Sequence, residues 1–165
     1  MSRSRAYLLT GVLLIALAGF SRPAPRVFHF VPGAGVQLHR LWDGSVSAKS
    51  EQVACLSAKI EGDTVQIYNV FPLSASRSDS LGVSAGASLE ACGPPNWLRT
   101  VHTHVTLRDG LQPYSLFSGA DRGVMMMWWR RWGVDGLFCL LYSDKDVICE
   151  IQGPETVVIF PRSHY

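Results

Sequence analysis

Two histidines, an aspartate and a serine carry the chemistry that can be read from the spacing of this sequence. His102 and His104 stand in Val101-His102-Thr103-His104, and after thirteen further residues Ser118-Gly119-Ala120-Asp121 forms a Ser-x-x-Asp. Strand side chains alternate with period 2, so histidines at i and i+2 point to one face and their ring nitrogens can converge on one ion. Asp121 supplies a third ligand. Two imidazoles and one carboxylate leave the fourth tetrahedral position to water, the arrangement of a catalytic rather than a structural zinc site. Each part also has a plainer use. A single histidine in an apolar strand is usually a hydrogen-bonded core residue, and Ser118 with Asp121 is sufficient as a helix-capping pair. The combination is what points to a metal-dependent hydrolase with one Zn2+ per chain.

The elements needed to position these residues can be read from periodicity and punctuation. Glu51 to Ile60 reads as a strand, Glu61-Gly62-Asp63 as a turn, and Thr64 to Phe71 alternates as a second strand, making a hairpin. Val27 to Val31 is a short apolar stretch closed by Pro32-Gly33-Ala34-Gly35, and residues 36–49 read as a short helix. Residues 73–96 are a Ser-, Ala- and Gly-rich loop with a short strand or helical turn near Ala87–Ala91. Trp97 to Val105 is a buried strand carrying the histidines, and Thr106 to Tyr114 is a loop. Ser118 caps a helix that runs to about Trp132 and ends at Gly133 and Gly136. Leu137–Tyr142 and Val147–Ile151 form a second hairpin, and Thr156–Phe160 is a last strand. This order predicts an α+β, or mixed α/β, domain with a central β-sheet.

Bulk properties narrow the function classes. The chain has 165 residues, 47% hydrophobic and 17% charged, which suits one globular domain. A formal charge of +2 is too small to argue for nucleic acid or an acidic polymer. Residues 1–25 resemble a signal peptide: Arg3 and Arg5 lead, Tyr7 to Phe20 is apolar but shorter than a membrane span, and Ala16-Leu17-Ala18 is a small-x-small pattern. The expected division is therefore an N-terminal segment over 1–25 and a domain over 26–165, exported if the segment is cleaved. The alternatives are a membrane anchor, with contact only through that segment, or a cytoplasmic domain behind a misplaced start. Cys55, Cys92, Cys139 and Cys149 fit either disulfides or small buried hydrophobes, and Cys139 and Cys149 flank a hairpin turn across which they could meet. In Met125 to Trp132, three Met and three Trp cover more than one helix face, so some are core and some face outward.

The residues around the histidines resemble the JAMM or MPN-type (JAB domain) zinc metalloproteases. That signature is a distant Glu, a His-x-His-Pro, a spacer and Ser-x-x-Asp. Ser50-Glu51-Gln52-Val53-Ala54-Cys55-Leu56 stands in the Glu position, about fifty residues before the histidines, and the likeness extends over about residues 45–150. Two departures stand out: Val105 replaces the proline, and the spacer before Ser118 is longer than usual. The resemblance implies a JAMM/MPN-like central sheet flanked by helices and a zinc held by His102, His104 and Asp121. It also implies Glu51 as general base and then acid, with Ser118 donating to the oxyanion. Glu61 and Glu90 are the next candidates for the base. The implied reaction is hydrolysis of a peptide or isopeptide bond in a peptide or protein substrate. Members act on ubiquitin-like conjugates, on sulfur-carrier precursors or in phage tail assembly; an export signal favours a peptide or cell-envelope substrate over the first. The rival expectations are a non-catalytic MPN-like scaffold or binding module, and a hydrolase of non-peptide amides.

Overall fold

Short apolar strands dominate the computed structural model, which describes residues 25–73, 78–79, 82–83, 85–95, 99–105 and 115–162. In chain order the elements are β1 (Val27–Phe30), α1 (Pro32–Ala48), β2 (Val53–Glu61), β3 (Thr64–Pro72), β4 (Ser78–Asp79), β5 (Gly82–Val83), α2 (Ala85–Ala91), β6 (Arg99–Thr103), α3 (Gly119–Trp132), β7 (Gly136–Leu141), β8 (Val147–Gln152) and β9 (Thr156–Pro161). Seven strands close into one mixed barrel in the order β1-β3-β2-β6-β7-β8-β9, and β4 and β5 pair separately. The two expected hairpins are present, as β2–β3 and β7–β8. The first turns at Gly62, whose φ of 63° is open to glycine without a Cβ clash.

The expected α+β architecture, a JAMM/MPN-like central sheet flanked by helices, is corrected by this closure. The cause is β1. Four residues, Val-Phe-His-Phe, run parallel to β3 on one side and to β9 on the other. The Phe160 N–H donates to the Arg26 carbonyl and the Arg162 N–H to the Phe28 carbonyl, at 3.0 and 2.9 Å. A segment read only as an apolar stretch thus joins the two sheet edges and removes both of them. Three helices accompany the barrel among the described residues.

Two apolar clusters lie on opposite faces of the strands. The first joins Phe28, Phe30, Leu56, Ile67, Val101, Leu141 and Ile159 to Ala34, Leu38 and Leu41 of α1. Helix α1 starts at Pro32, earlier than expected, because proline suits the first helical position, where no intrahelical N–H partner is needed. The second cluster joins Cys55, Phe138 and Leu140 of the strands to Leu89, Cys92, Phe117, Met125 and Trp128. Every residue of β7 is buried because both of its faces are covered. All four cysteines are paired: Cys139 with Cys149, directly opposite in the β7–β8 register, and Cys55 of β2 with Cys92 just past α2.

Phe28 is 1% exposed and sits in the closing strand. Phe28→Ala should therefore cost about 3–5 kcal/mol in urea denaturation. A loss below about 1 kcal/mol would mean that β1 is not part of the cooperative barrel.

Candidate metal centre

Alternation along β6 decides where its histidines face. Val101 belongs to the first cluster, with α1, whereas the His102 ring lies 5.8 Å from Phe117 of the second, on the α3 side. His104 continues on the His102 face, with ring centroids 5.1 Å apart. Strand β7 holds β6 in parallel register, His102 beside Leu140, and the His104 N–H donates to the Leu141 carbonyl at 2.9 Å. Helix α3 lies across this face. Its Met125 and Trp128 are buried, Trp128 meets Phe138 edge-on at 5.7 Å, and a Cβ on Gly136 would fall 2.8 Å from the Trp128 indole nitrogen. Met126 and Met127 are exposed on the opposite side. Arg122 pairs in two-pronged fashion with the buried carboxylate of Glu150 on β8, with the Nη2–Oε1 arm at 2.8 Å, and its guanidinium covers the Phe117 ring. These contacts fix the first turn of α3 over the histidines.

Asp121 is in that turn. Its Oδ1 lies 3.2 Å from His102 Nε2 and its Oδ2 3.6 Å from His104 Nε2. One potential ligand atom from each of the three residues falls within 4.8 Å of the others, a spacing that a single ion can bridge. Ser118 orients the carboxylate. Its N–H donates to Asp121 Oδ2 at 2.6 Å, and its Oγ accepts from the Asp121 N–H at 3.2 Å, a reciprocal capping box. The cap and the approach of Asp121 to the histidines are therefore compatible in one geometry. The Ser118 hydroxyl accepts in the cap and keeps its own proton to donate. Burial opposes charge on Asp121, but the adjoining histidine rings and Ser118 outweigh it and hold the carboxyl well below the usual carboxylate range. His102 Nε2 is buried and has no hydrogen-bond partner despite its nearness to Asp121. A buried polar atom left this way is costly unless something else coordinates it. Two imidazoles and a carboxylate are also a zinc donor set.

Glu51 reaches the same place from the segment just before β2. The β2–β6 pairing sets Val53 opposite His102, and two residues further the same register sets Glu51 opposite His104. Glu51 Oε1 lies 3.8 Å from His104 Nε2, and the Glu51 side chain is 42% exposed against 9% for His104. The acid is thus beside the cluster yet open to solvent. The reserve candidates are engaged elsewhere: Glu61 accepts from the Tyr68 hydroxyl at 2.7 Å, and Glu90 pairs with Arg131 at 3.5 Å.

Sequence reasoning missed the supports. Thr103, Ser45 and Glu150 are buried polar residues, at most 6% exposed. Ser45 occupies the next place on the α1 stripe of Ala34, Leu38 and Leu41, and a polar residue on an apolar stripe is the signal that could have found it. Nothing in the local sequence pairs Arg122 with Glu150. The loop read at 106–114, including Arg108 and Pro113, lies outside the described residues, as do residues 1–24, Trp97 and His164.

No protein-family model matches the chain, and no curated protein matches it. Among solved structures, the solution structure of protein DSY2949 from Desulfitobacterium hafniense is similar to it, at a TM-score of 0.47 and 13% identity, over 82% of this chain and 91% of that one. The JAMM/MPN resemblance is corrected accordingly. No family match accompanies the spacing of these residues, and the strands that carry them close into a barrel.

A carboxyl held below its unfolded value stabilises the fold above that value and gives the stability up as pH falls through its folded value. In metal-free protein, the stability difference between wild type and Asp121→Asn should therefore shrink as pH drops below about 4. Urea midpoints across that range check it, and a difference that widens would contradict the direction assigned to Asp121.

Proposed function

We propose that this chain is a zinc-dependent hydrolase that cleaves a peptide or isopeptide bond. The observation that carries the reading is the convergence of His102, His104 and Asp121, from β6 and α3, with Glu51 beside His104. In this reading His102, His104 and Asp121 would hold one zinc ion. When bound, the metal supplies a water acidic enough to lose a proton near neutral pH. Glu51, 3.8 Å from His104 and 42% exposed, would take that proton and later deliver it to the leaving amine, and its exposure lets it reach a substrate. The Ser118 hydroxyl donates to the oxygen of the attacked carbonyl as charge develops there. Asp121 stays ionised, held by the Ser118 N–H.

We further propose that the substrate is a peptide or protein met after export. Two disulfides support an oxidising compartment. No described helix is long and apolar enough to cross a membrane. The small net charge gives no support to a nucleic-acid partner. The N-terminal residue of the mature protein tests the compartment.

Metal analysis with activity on a peptide library tests the chemistry. Wild type should carry one zinc per chain, and His102→Ala should lose it. Glu51→Gln should keep zinc and fold while losing about 10²–10⁴-fold in kcat. Ser118→Ala should lose about 10²-fold in kcat and, through the lost cap, about 1 kcal/mol in stability. Wild-type protein without stoichiometric zinc, or a fully active Glu51→Gln, would sink the reading.

A further inference from the structure

Thr103 separates the two histidines and points the other way, into the barrel, where it is fully buried. Its hydroxyl hydrogen-bonds to the Ser45 hydroxyl of α1, itself fully buried. It also accepts from the Gln52 N–H at 2.9 Å, while the Thr103 N–H donates to the Gln52 carbonyl at 3.0 Å. Residues facing one another in a hydrogen-bonded antiparallel pair normally exchange two backbone bonds. Here the threonine side chain takes the acceptor role of its own carbonyl, just where β2 begins. Gln52 follows Glu51. On the other side, the Ser50 N–H donates to the Ser45 carbonyl at 3.2 Å as the chain leaves α1. The backbone is therefore anchored immediately before and after Glu51, before it by the Ser45 main-chain carbonyl and after it by the Thr103 hydroxyl that rests on the Ser45 side chain. Two hydroxyls in a core otherwise built from Leu, Ile, Val and Phe have no packing advantage over Ala and Val.

We propose that Thr103 is a positioning residue for Glu51: its hydroxyl, seated on Ser45, fixes the Gln52 backbone and so the reach of the Glu51 carboxylate to the histidine pair. The assignment rests on the reading of Glu51 as the base. Thr103 touches neither metal ligand nor substrate through its side chain. It couples the strand that carries the histidines to the strand start that carries the acid, so that a shift in one is shared by the other.

The test uses full-length protein as wild type, Thr103→Val, Thr103→Ser and Ser45→Ala, with three measurements: hydrogen exchange of the Gln52 amide, zinc affinity, and steady-state rates of the zinc-loaded protein. Thr103→Val keeps shape and volume. It should speed Gln52 exchange at least about tenfold and lower kcat by about 10–100-fold at unchanged KM. Zinc affinity should stay within about threefold, since no ligand is removed. Thr103→Ser should restore both exchange protection and kcat. A merely structural threonine would not give the split between kcat and KM or the rescue by serine. Unchanged Gln52 exchange in Thr103→Val overturns the proposal, and so does faster exchange with intact kcat. Should Thr103→Val fail to fold, Ser45→Ala decides, with faster Gln52 exchange supporting the link and wild-type exchange overturning it. Wild-type protein that binds no zinc would defeat the hydrolase reading alone, because Gln52 exchange still reports whether Thr103 holds the Glu51 segment.

Discussion

The antiparallel register between β2 and β6 is the constraint on which the candidate site depends. With Val53 opposite His102, the odd-numbered residues Glu51, Val53 and Cys55 share a face with His102 and His104. A slip of one residue would send Glu51 to the far side of the sheet from the histidines. The register is protected on both faces. Ala54, Leu56 and Val101 are committed to the cluster against α1, and Cys55 is bonded to Cys92 on the α3 side. Either face alone would resist the slip, and together they favour the one pairing that keeps Ala54, Leu56 and Val101 buried.

A second constraint acts on α3. Asp121 joins the histidines only if the first turn of the helix is laid down at the right height over β6. Apolar packing by Met125 and Trp128 supplies most of the attraction but little lateral precision. The Arg122–Glu150 pair adds direction, because a planar guanidinium meeting a carboxylate at two points fixes orientation as well as distance. Arg122 is the next residue after Asp121, so what holds one places the other. The capping box then sets the carboxylate itself. Packing, ion pair and cap thus act at successively finer scales on a single side chain.

Much of this was legible in the sequence where it depends on neighbours along the chain. The Glu61-Gly62-Asp63 turn, the strand over Thr64–Phe71 and the Ser118 cap are local, and all three appear in the structure, the strand with a register shift that interrupts its alternation. The closing of the barrel was not legible. It depends on β1 pairing with β9, more than 120 residues later, and a four-residue strand carries too little pattern to announce two partners. Thr103 was passed over for a related reason. The eye for metal ligands reads His-x-His and discards the x, although a polar residue aimed into an apolar interior is itself an anomaly. The Glu51 position came from a resemblance that failed as a statement of family and fold. The acid nevertheless lies beside His104, because the register alone puts it on the histidine face.

That outcome separates two kinds of inference. Chemistry resides in the arrangement of side chains, and unrelated folds can present the same arrangement. The metal hypothesis therefore stands or falls on three donor atoms, a nearby acid and a buried nitrogen without a hydrogen-bond partner, none of which requires a family. Substrate is different. Ubiquitin-like conjugates and sulfur-carrier precursors entered only through the resemblance and leave with it. What remains is set by the site's surroundings: an open acid, a half-covered cluster and two disulfides consistent with life outside the reducing cytosol. The three donor atoms bear on the proposed metal alone, and the proposed substrate is to be sought in what surrounds the exposed Glu51 carboxylate.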